Sequence, residues 1–272
     1  MQLYEQIQEA VAHIRTLTDF EPRHGIILGT GLGNLTDDLL IAYEIDYKDI
    51  PHFPVSTVQS HKGKLAFGYL EGKPVVVMAG RFHYYEGYSM QQVTFPVRVL
   101  KFLGIETLII TNVAGSTNAV IEAGDLVFVR DHINLQPENP LRGENDERLG
   151  VRFPDMKNAY DKGLINKGLE IARQQGIQAH QGVYVALQGP NLETPAEYYY
   201  LHRIGGDLVG MSTVPEVLVA RHANLRTMVM SIVSNKCFPI EEIKETTVDD
   251  VIAVATKAEP KMRLIIKELL KY

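Results

Sequence analysis

Short apolar, β-rich runs alternate along this chain with longer stretches of helical periodicity, and Gly, Asn or Pro stands at the joints. Such alternation restricts the fold to a sheet interleaved with helices, since each element buries its apolar side against the other kind. Strands are predicted over 25–28, 65–69, 74–79, 107–111, 126–130, 182–187, 208–210 and 227–233. Helices are predicted over 2–17, 89–103, 160–175, 195–204, 214–224 and 248–270, the last interrupted or restarted near Pro260, where a helical N–H is lost. The runs between Leu65 and Ala79 read as a hairpin turning at Glu71-Gly72-Lys73, so the sheet is expected to be mixed. With 272 residues and no linker composition, one α/β domain over 1–272 is expected.

Composition removes several function classes. A net charge of -6 offers no general field for a nucleic acid polymer or an anionic membrane, so any anion site has to be local. No apolar stretch reaches the roughly 18 to 20 residues of a membrane span, and the start carries Glu5, Glu9 and Arg15 among its apolar positions like an amphipathic helix. Cys237 is the only cysteine, which excludes an intrachain disulfide and fits a reducing, cytoplasmic setting. The histidines lack metal-ligand spacing, and no metal is expected.

Local anion sites are suggested at three strand ends. Arg81-Phe82-His83-Tyr84-Tyr85-Glu86-Gly87-Tyr88 follows an apolar strand, and in an extended backbone Arg81 and His83 share one face. An Arg fork and a ring N–H can then grip one oxyanion, although an aromatic strand end packed under a loop is the plain alternative. Gly29-Thr30-Gly31-Leu32-Gly33-Asn34 follows the first strand with backbone N–H groups and the Thr30 hydroxyl. It lacks the Gly-Lys-Ser/Thr of a P-loop and misses the dinucleotide glycine spacing by one residue. Asn112-Val113-Ala114-Gly115-Ser116 follows the fourth strand, and His61, in a basic turn, could add another donor.

Two later segments carry groups of a different kind. Glu193 lies between a predicted strand and a helix for which Thr194 is the N-cap and Pro195 the first turn. Asn235 closes another strand with an amide that donates and accepts at once. Together a carboxylate and an amide can read a heterocycle edge, while singly they serve equally as helix-terminus charge and turn cap. Met211-Ser212-Thr213 marks one more junction, and the polar stretch 131–160 is long enough to cover a site or meet another subunit.

In order along the chain, Gly29-Thr30-Gly31-Leu32-Gly33, His61-Lys62-Gly63, the run 81–88, Asn112-Val113-Ala114-Gly115, Asp131-His132-Ile133-Asn134-Leu135, Asn139-Pro140-Leu141-Arg142-Gly143, Gly189-Pro190 with Glu193-Thr194, Met211-Ser212-Thr213 and Ser234-Asn235-Lys236 resemble the trimeric, low-molecular-mass purine nucleoside phosphorylases of the nucleoside phosphorylase family. The resemblance covers nearly the whole chain and implies a single-domain, three-layer fold with a mixed central sheet flanked by helices. It implies phosphorolysis of purine ribonucleosides and 2′-deoxyribonucleosides, 6-oxopurines preferred, with inorganic phosphate as co-substrate and no cofactor. Phosphate binding is implied for Thr30, His61, Arg81, His83, Val113 and Ser212, and nucleoside binding for Tyr85, Phe153, Tyr184, Leu192, Glu193, Met211 and Asn235. Asn235, Glu193 and His83 would carry the catalytic roles, and Phe153 would complete the site of a neighbour in a homotrimer. Methylthioadenosine phosphorylase and a non-catalytic nucleoside-binding protein are the alternatives. The chain departs from the family at the usual 5′-hydroxyl histidine, where a gap-free count reaches Val248, and at Leu192, where an aromatic is common. Residues 239–248 are expected to form a mobile lid.

Overall fold

The computed structural model describes residues 2–55 and 62–272, so His61 lies outside the described residues. In chain order the elements are α1 (Leu3–Leu17), β1 (His24–Ile27), β2 (Leu40–Asp46), β3 (Lys64–Leu70), β4 (Lys73–Ala79), α2 (Met90–Leu103), β5 (Thr107–Ser116), β6 (Leu126–Asn134), α3 (Lys162–Gln174), β7 (Ala179–Ala186), α4 (Pro195–Arg203), β8 (Leu208–Gly210), α5 (Val214–His222), β9 (Arg226–Lys236) and α6 (Val248–Leu270). Among the described residues, these strands form one sheet in the order β2-β3-β4-β1-β5-β8-β7-β6-β9. β9 also pairs with β5, which closes β5, β8, β7, β6 and β9 into a ring and leaves β1 to β4 as an open wing.

The sheet is mixed: β3 and β4 form a tight antiparallel hairpin, β2–β3, β5–β8 and β6–β9 also pair antiparallel, and the other pairs are parallel. Glu71 and Gly72 both take positive φ, 51° and 75°, the geometry that joins right-twisted antiparallel strands in two residues. β1 instead runs parallel to both β4 and β5. Its neighbours are apolar on both faces, with Val75, Val76, Val77, Ile109 and Ile110 at most 1% exposed, as a sheet covered on both sides requires. Helices α1 and α5 both pack on α2, and α3 packs on α6, which lies against β9.

Several elements differ from the sequence expectation. β5 does not stop at Thr111 but runs to Ser116, because β9 stays paired to it along its whole length after β1 has left at Ile110. The segment Asn112 to Gly115 is therefore a strand edge and not a turn. β2 was not anticipated: it is an outer strand, largely exposed, with a register shift between Ile41 and Tyr43 that blurs its alternation. α6 continues through Pro260 without a break. The buried stripe Ala255, Ala258, Met262, Ile265, Ile266 and Leu269 spans the proline, so packing outweighs the one lost backbone bond. Among the described residues, no helix is long and apolar enough to cross a membrane.

Candidate active site

A cavity of about 630 Å³ opens where the ends of β1, β4, β5 and β9 meet the segments that follow β7 and β8. Its wall includes Thr30, Arg81, His83, Tyr85, Val113, Leu192, Glu193, Met211, Ser212 and Asn235. One space thus brings together residues that lie more than 200 positions apart in the chain.

The cationic part is built around Arg81, which is 1% exposed. Arg81 Nε donates to the Glu216 carboxylate at 3.1 Å, and Nη1 donates to Ser212 Oγ at 3.2 Å. Glu216 is itself 2% exposed, so the pair compensates two charges that burial would otherwise make costly. His83 sits against Glu86: its Nδ1 lies 3.0 Å from Glu86 Oε1, which also accepts the His83 backbone N–H at 2.8 Å. The Tyr85 ring stacks on the imidazole with centroids 4.7 Å apart. Burial pushes the Tyr85 phenol up to about 12 and keeps it protonated.

Ser212 is presented by an unusual turn. Thr213 has φ 73° and ψ -55°, and the Val214 N–H donates to the Ser212 carbonyl at 2.8 Å, which together make a γ-turn at a β-branched residue. Hydrogen bonds hold this strained backbone: Asn112 Nδ2 donates to Thr213 Oγ1 at 2.9 Å, and the Ser212 and Thr213 hydroxyls are 3.0 Å apart. Tyr184, expected as a nucleoside contact, is fully buried behind the wall and accepts the Ser212 N–H at 3.4 Å. Its hydroxyl occupies the room that a Cβ on Gly210 would need.

The amide and carboxylate part is built from β9 and the approach to α4. Ala114 pairs with Val233 but Gly115 with Asn235, so Ser234 is the extra residue of a bulge that turns Asn235 toward the cavity. The Ser234 hydroxyl donates to Asn235 Oδ1 at 2.6 Å, and Asn235 Nδ2 donates to Cys237 Sγ at 3.2 Å. A Cβ on Gly115 would lie 2.6 Å from that sulfur, so this crossing needs glycine. Thr194 caps α4 by accepting from the Glu197 N–H at 3.3 Å, and Pro195 opens the helix as anticipated. The capped turn leaves Glu193 on the cavity wall, where burial raises its carboxyl above the ordinary range.

Across the mouth, Thr246, Thr247, Val248 and Val251 line the cavity at the start of α6. Thr247 caps α6, accepting from Asp250 N–H at 3.2 Å. The segment before it is tied back by Lys236, whose Nζ is 2.7 Å from both Glu122 and Glu242. Farther along the helix, buried Glu259 accepts the Asn34 backbone N–H at 2.9 Å and so joins α6 to the glycine-rich loop.

Phe153 is not in the cavity of its own chain; it is 87% exposed on the surface. Sequence reasoning missed Glu216, Ser234, Tyr198 and Cys237 as partners of the site. A buried Arg demands a counter-charge, but nothing local indicates that it lies 135 residues away. Ser234 and Cys237 were within reach, since a Ser precedes the strand-end amide Asn235 directly and a Cys follows two residues on.

Residues 23–271 match the Phosphorylase superfamily. The chain is 49% identical to purine nucleoside phosphorylase 1 of Geobacillus stearothermophilus over 265 residues, covering 97% of this chain and 96% of the relative. Among solved structures it is similar to isoform 2 of purine nucleoside phosphorylase from Schistosoma mansoni in complex with cytosine and ribose-1-phosphate, with a TM-score of 0.94, 39% identity, and coverage of 98% and 96% of the two chains. The Schistosoma mansoni purine nucleoside phosphorylase in complex with adenosine gives a TM-score of 0.93 at 41% identity, with the same coverage.

Proposed function

The chain belongs to the Phosphorylase superfamily, among its purine nucleoside phosphorylases, and on that footing we propose that it transfers the pentosyl group of 6-oxopurine nucleosides and their 2′-deoxy forms to inorganic phosphate. The observation that carries this reading is the single cavity shared by Arg81, His83 and Ser212 with Glu193 and Asn235. Oxyanion donors and a polar edge reader in one space suit a reaction that joins phosphate to a sugar while a purine leaves.

Cleavage of the C1′–N9 bond leaves positive charge on the sugar, and the bonding pair departs with the base. Phosphate, held by Thr30, Arg81, His83, the backbone at Val113 and Ser212, stabilises the sugar cation and bonds to C1′ from the face opposite the purine. His61, in the segment outside the described residues, is assigned to the same anion by resemblance. Tyr85 and Met211 flank the pentose, with Tyr184 supporting Ser212 from behind. Asn235 meets the developing negative charge at N7: the Ser234 bond fixes its oxygen, and the second hydrogen of Nδ2 faces the purine. Ionised Glu193 accepts the N1–H of hypoxanthine or guanine, whereas neutral adenine offers it a lone pair. The base plane lies against Leu192, and charge on phosphate is met by protein donors without a metal or an organic cofactor.

Phe153 projects from the surface beyond its own cavity, which suits the wall of a neighbouring site in a homotrimer. Val248, with Thr246 and Thr247, stands at the pentose 5′ side. The test is release of hypoxanthine from inosine with and without phosphate, with adenosine as the competing substrate. Release that needs no phosphate, or equal kcat/KM on adenosine, removes the assignment. Sedimentation of the free protein tests the trimer.

A further inference from the structure

Tyr198 is 4% exposed, yet it shares the cavity wall with Glu193 and Asn235. Its place follows from the cap at Thr194, which starts α4 immediately after Glu193 and brings Tyr198 back over the same region one turn later. The ring packs with Val185, Leu201, Val209 and Cys237. Its phenol faces both the Glu193 carboxylate and the Cys237 sulfur, and that sulfur accepts from Asn235 Nδ2 at 3.2 Å. Tyr198 and Cys237 therefore bridge the two groups assigned to the purine edge.

On that edge the 6-position lies between N1 and N7. With Glu193 at N1 and Asn235 at N7, the side chain between them meets the 6-substituent. We propose that Tyr198 is a specificity-determining residue that donates its phenolic O–H to the 6-oxo group of the purine. This rests on the base orientation given above.

The hydrogen-bond inventory closes for a 6-oxopurine. Without substrate the phenol turns to Glu193; with substrate, N1–H satisfies the carboxylate and releases the phenol for O6. Burial, reinforced by Cys237 and Glu193, holds the phenol far above its ordinary titration range, so it keeps its proton at every working pH. Adenine lets the phenol stay on Glu193 and accept from the 6-amine, which leaves Glu193 as the main barrier to adenosine and gives Tyr198 the reading of O6.

The test compares inosine with 6-thioinosine, which retains N1–H but presents a weaker acceptor at C6, in the wild type and in Tyr198→Phe. The wild type is expected to favour inosine by about three- to tenfold in kcat/KM, the size of one neutral hydrogen bond. Tyr198→Phe is expected to bring the two nucleosides within about twofold, through loss on inosine. Because both substrates are run on the same protein sample, the ratio does not depend on the folded fraction. A wild type without preference, an unchanged ratio in the variant, or equal losses on both nucleosides overturns the proposal and leaves the phosphorylase reading intact. Failure of the wild type to release hypoxanthine in the presence of phosphate ends both.

Discussion

The Arg81 guanidinium donates through Nε to the Glu216 carboxylate at 3.1 Å, in a pair whose side chains are 1% and 3% exposed. The bond joins the end of β4 to α5 and aims the remaining face of the guanidinium at Ser212 and the cavity. A buried pair adds little net stability over an apolar substitute, but removal of one partner strands the other charge.

Glu216→Gln should therefore lower the free energy of unfolding by about 3 kcal/mol, read from urea denaturation. The KM for phosphate should rise in the same variant, because Arg81 keeps only a neutral amide oxygen in place of the charged carboxylate that holds its plane. A stability loss below about 1 kcal/mol would show that the guanidinium finds compensation elsewhere.

Asn235→Ala should reduce kcat by roughly two to three powers of ten with a smaller effect on KM, as expected for a donor that matters most once the purine carries negative charge. Ser234→Ala removes the 2.6 Å bond that orients the amide and should cost about tenfold in kcat. Steady-state kinetics with the effect mainly in KM would place Asn235 in ground-state binding instead.

Glu193 should set the acid limb of the kcat/KM profile for inosine. Burial raises its carboxyl above the usual 4.5, while the Tyr198 hydroxyl pulls it partly back. The ionised form is the acceptor for N1–H, so activity falls as pH drops through that raised value. For stability the sign is reversed: the fold favours the neutral acid, so this contribution is complete below pH 4.5 and lost as pH rises through the folded value. Glu193→Gln should erase the limb; a limb that survives in this variant belongs to another group.

Gly210→Ala should destabilise by about 1 to 3 kcal/mol, because the new methyl meets the Tyr184 hydroxyl. Tyr184→Phe should recover part of that loss, and the double-mutant cycle should show coupling above about 0.5 kcal/mol. Additive effects in thermal or urea unfolding would mean that the strand moves rather than the ring.

The local chemistry of this chain was legible from its residues. Thr194 and Pro195 start α4 where capping preference puts the boundary, and Glu71-Gly72 makes the expected β3–β4 hairpin. Most of the wall was legible too, since Thr30, Arg81, His83, Val113, Ser212, Glu193 and Asn235 all follow or end apolar runs and all reach one cavity. β2 escaped notice because an exposed edge with a shifted register shows no clean alternation. Pro260 misled because propensity counts one lost bond and not the buried stripe on either side of it.

By itself, the order of residues decided what depends on near neighbours: strand and helix periods, turns, caps, and the kinds of groups offered at the strand ends. Only the tertiary structure decided which of them meet. The β5–β9 pairing closes the ring, the bulge at Ser234 turns Asn235 inward, Glu216 finds Arg81, and Tyr184 moves from the wall to its backing. These contacts join segments separated by scores of residues, and their energy comes from burial and pairing in a packed interior, for which short-range sequence patterns carry no address.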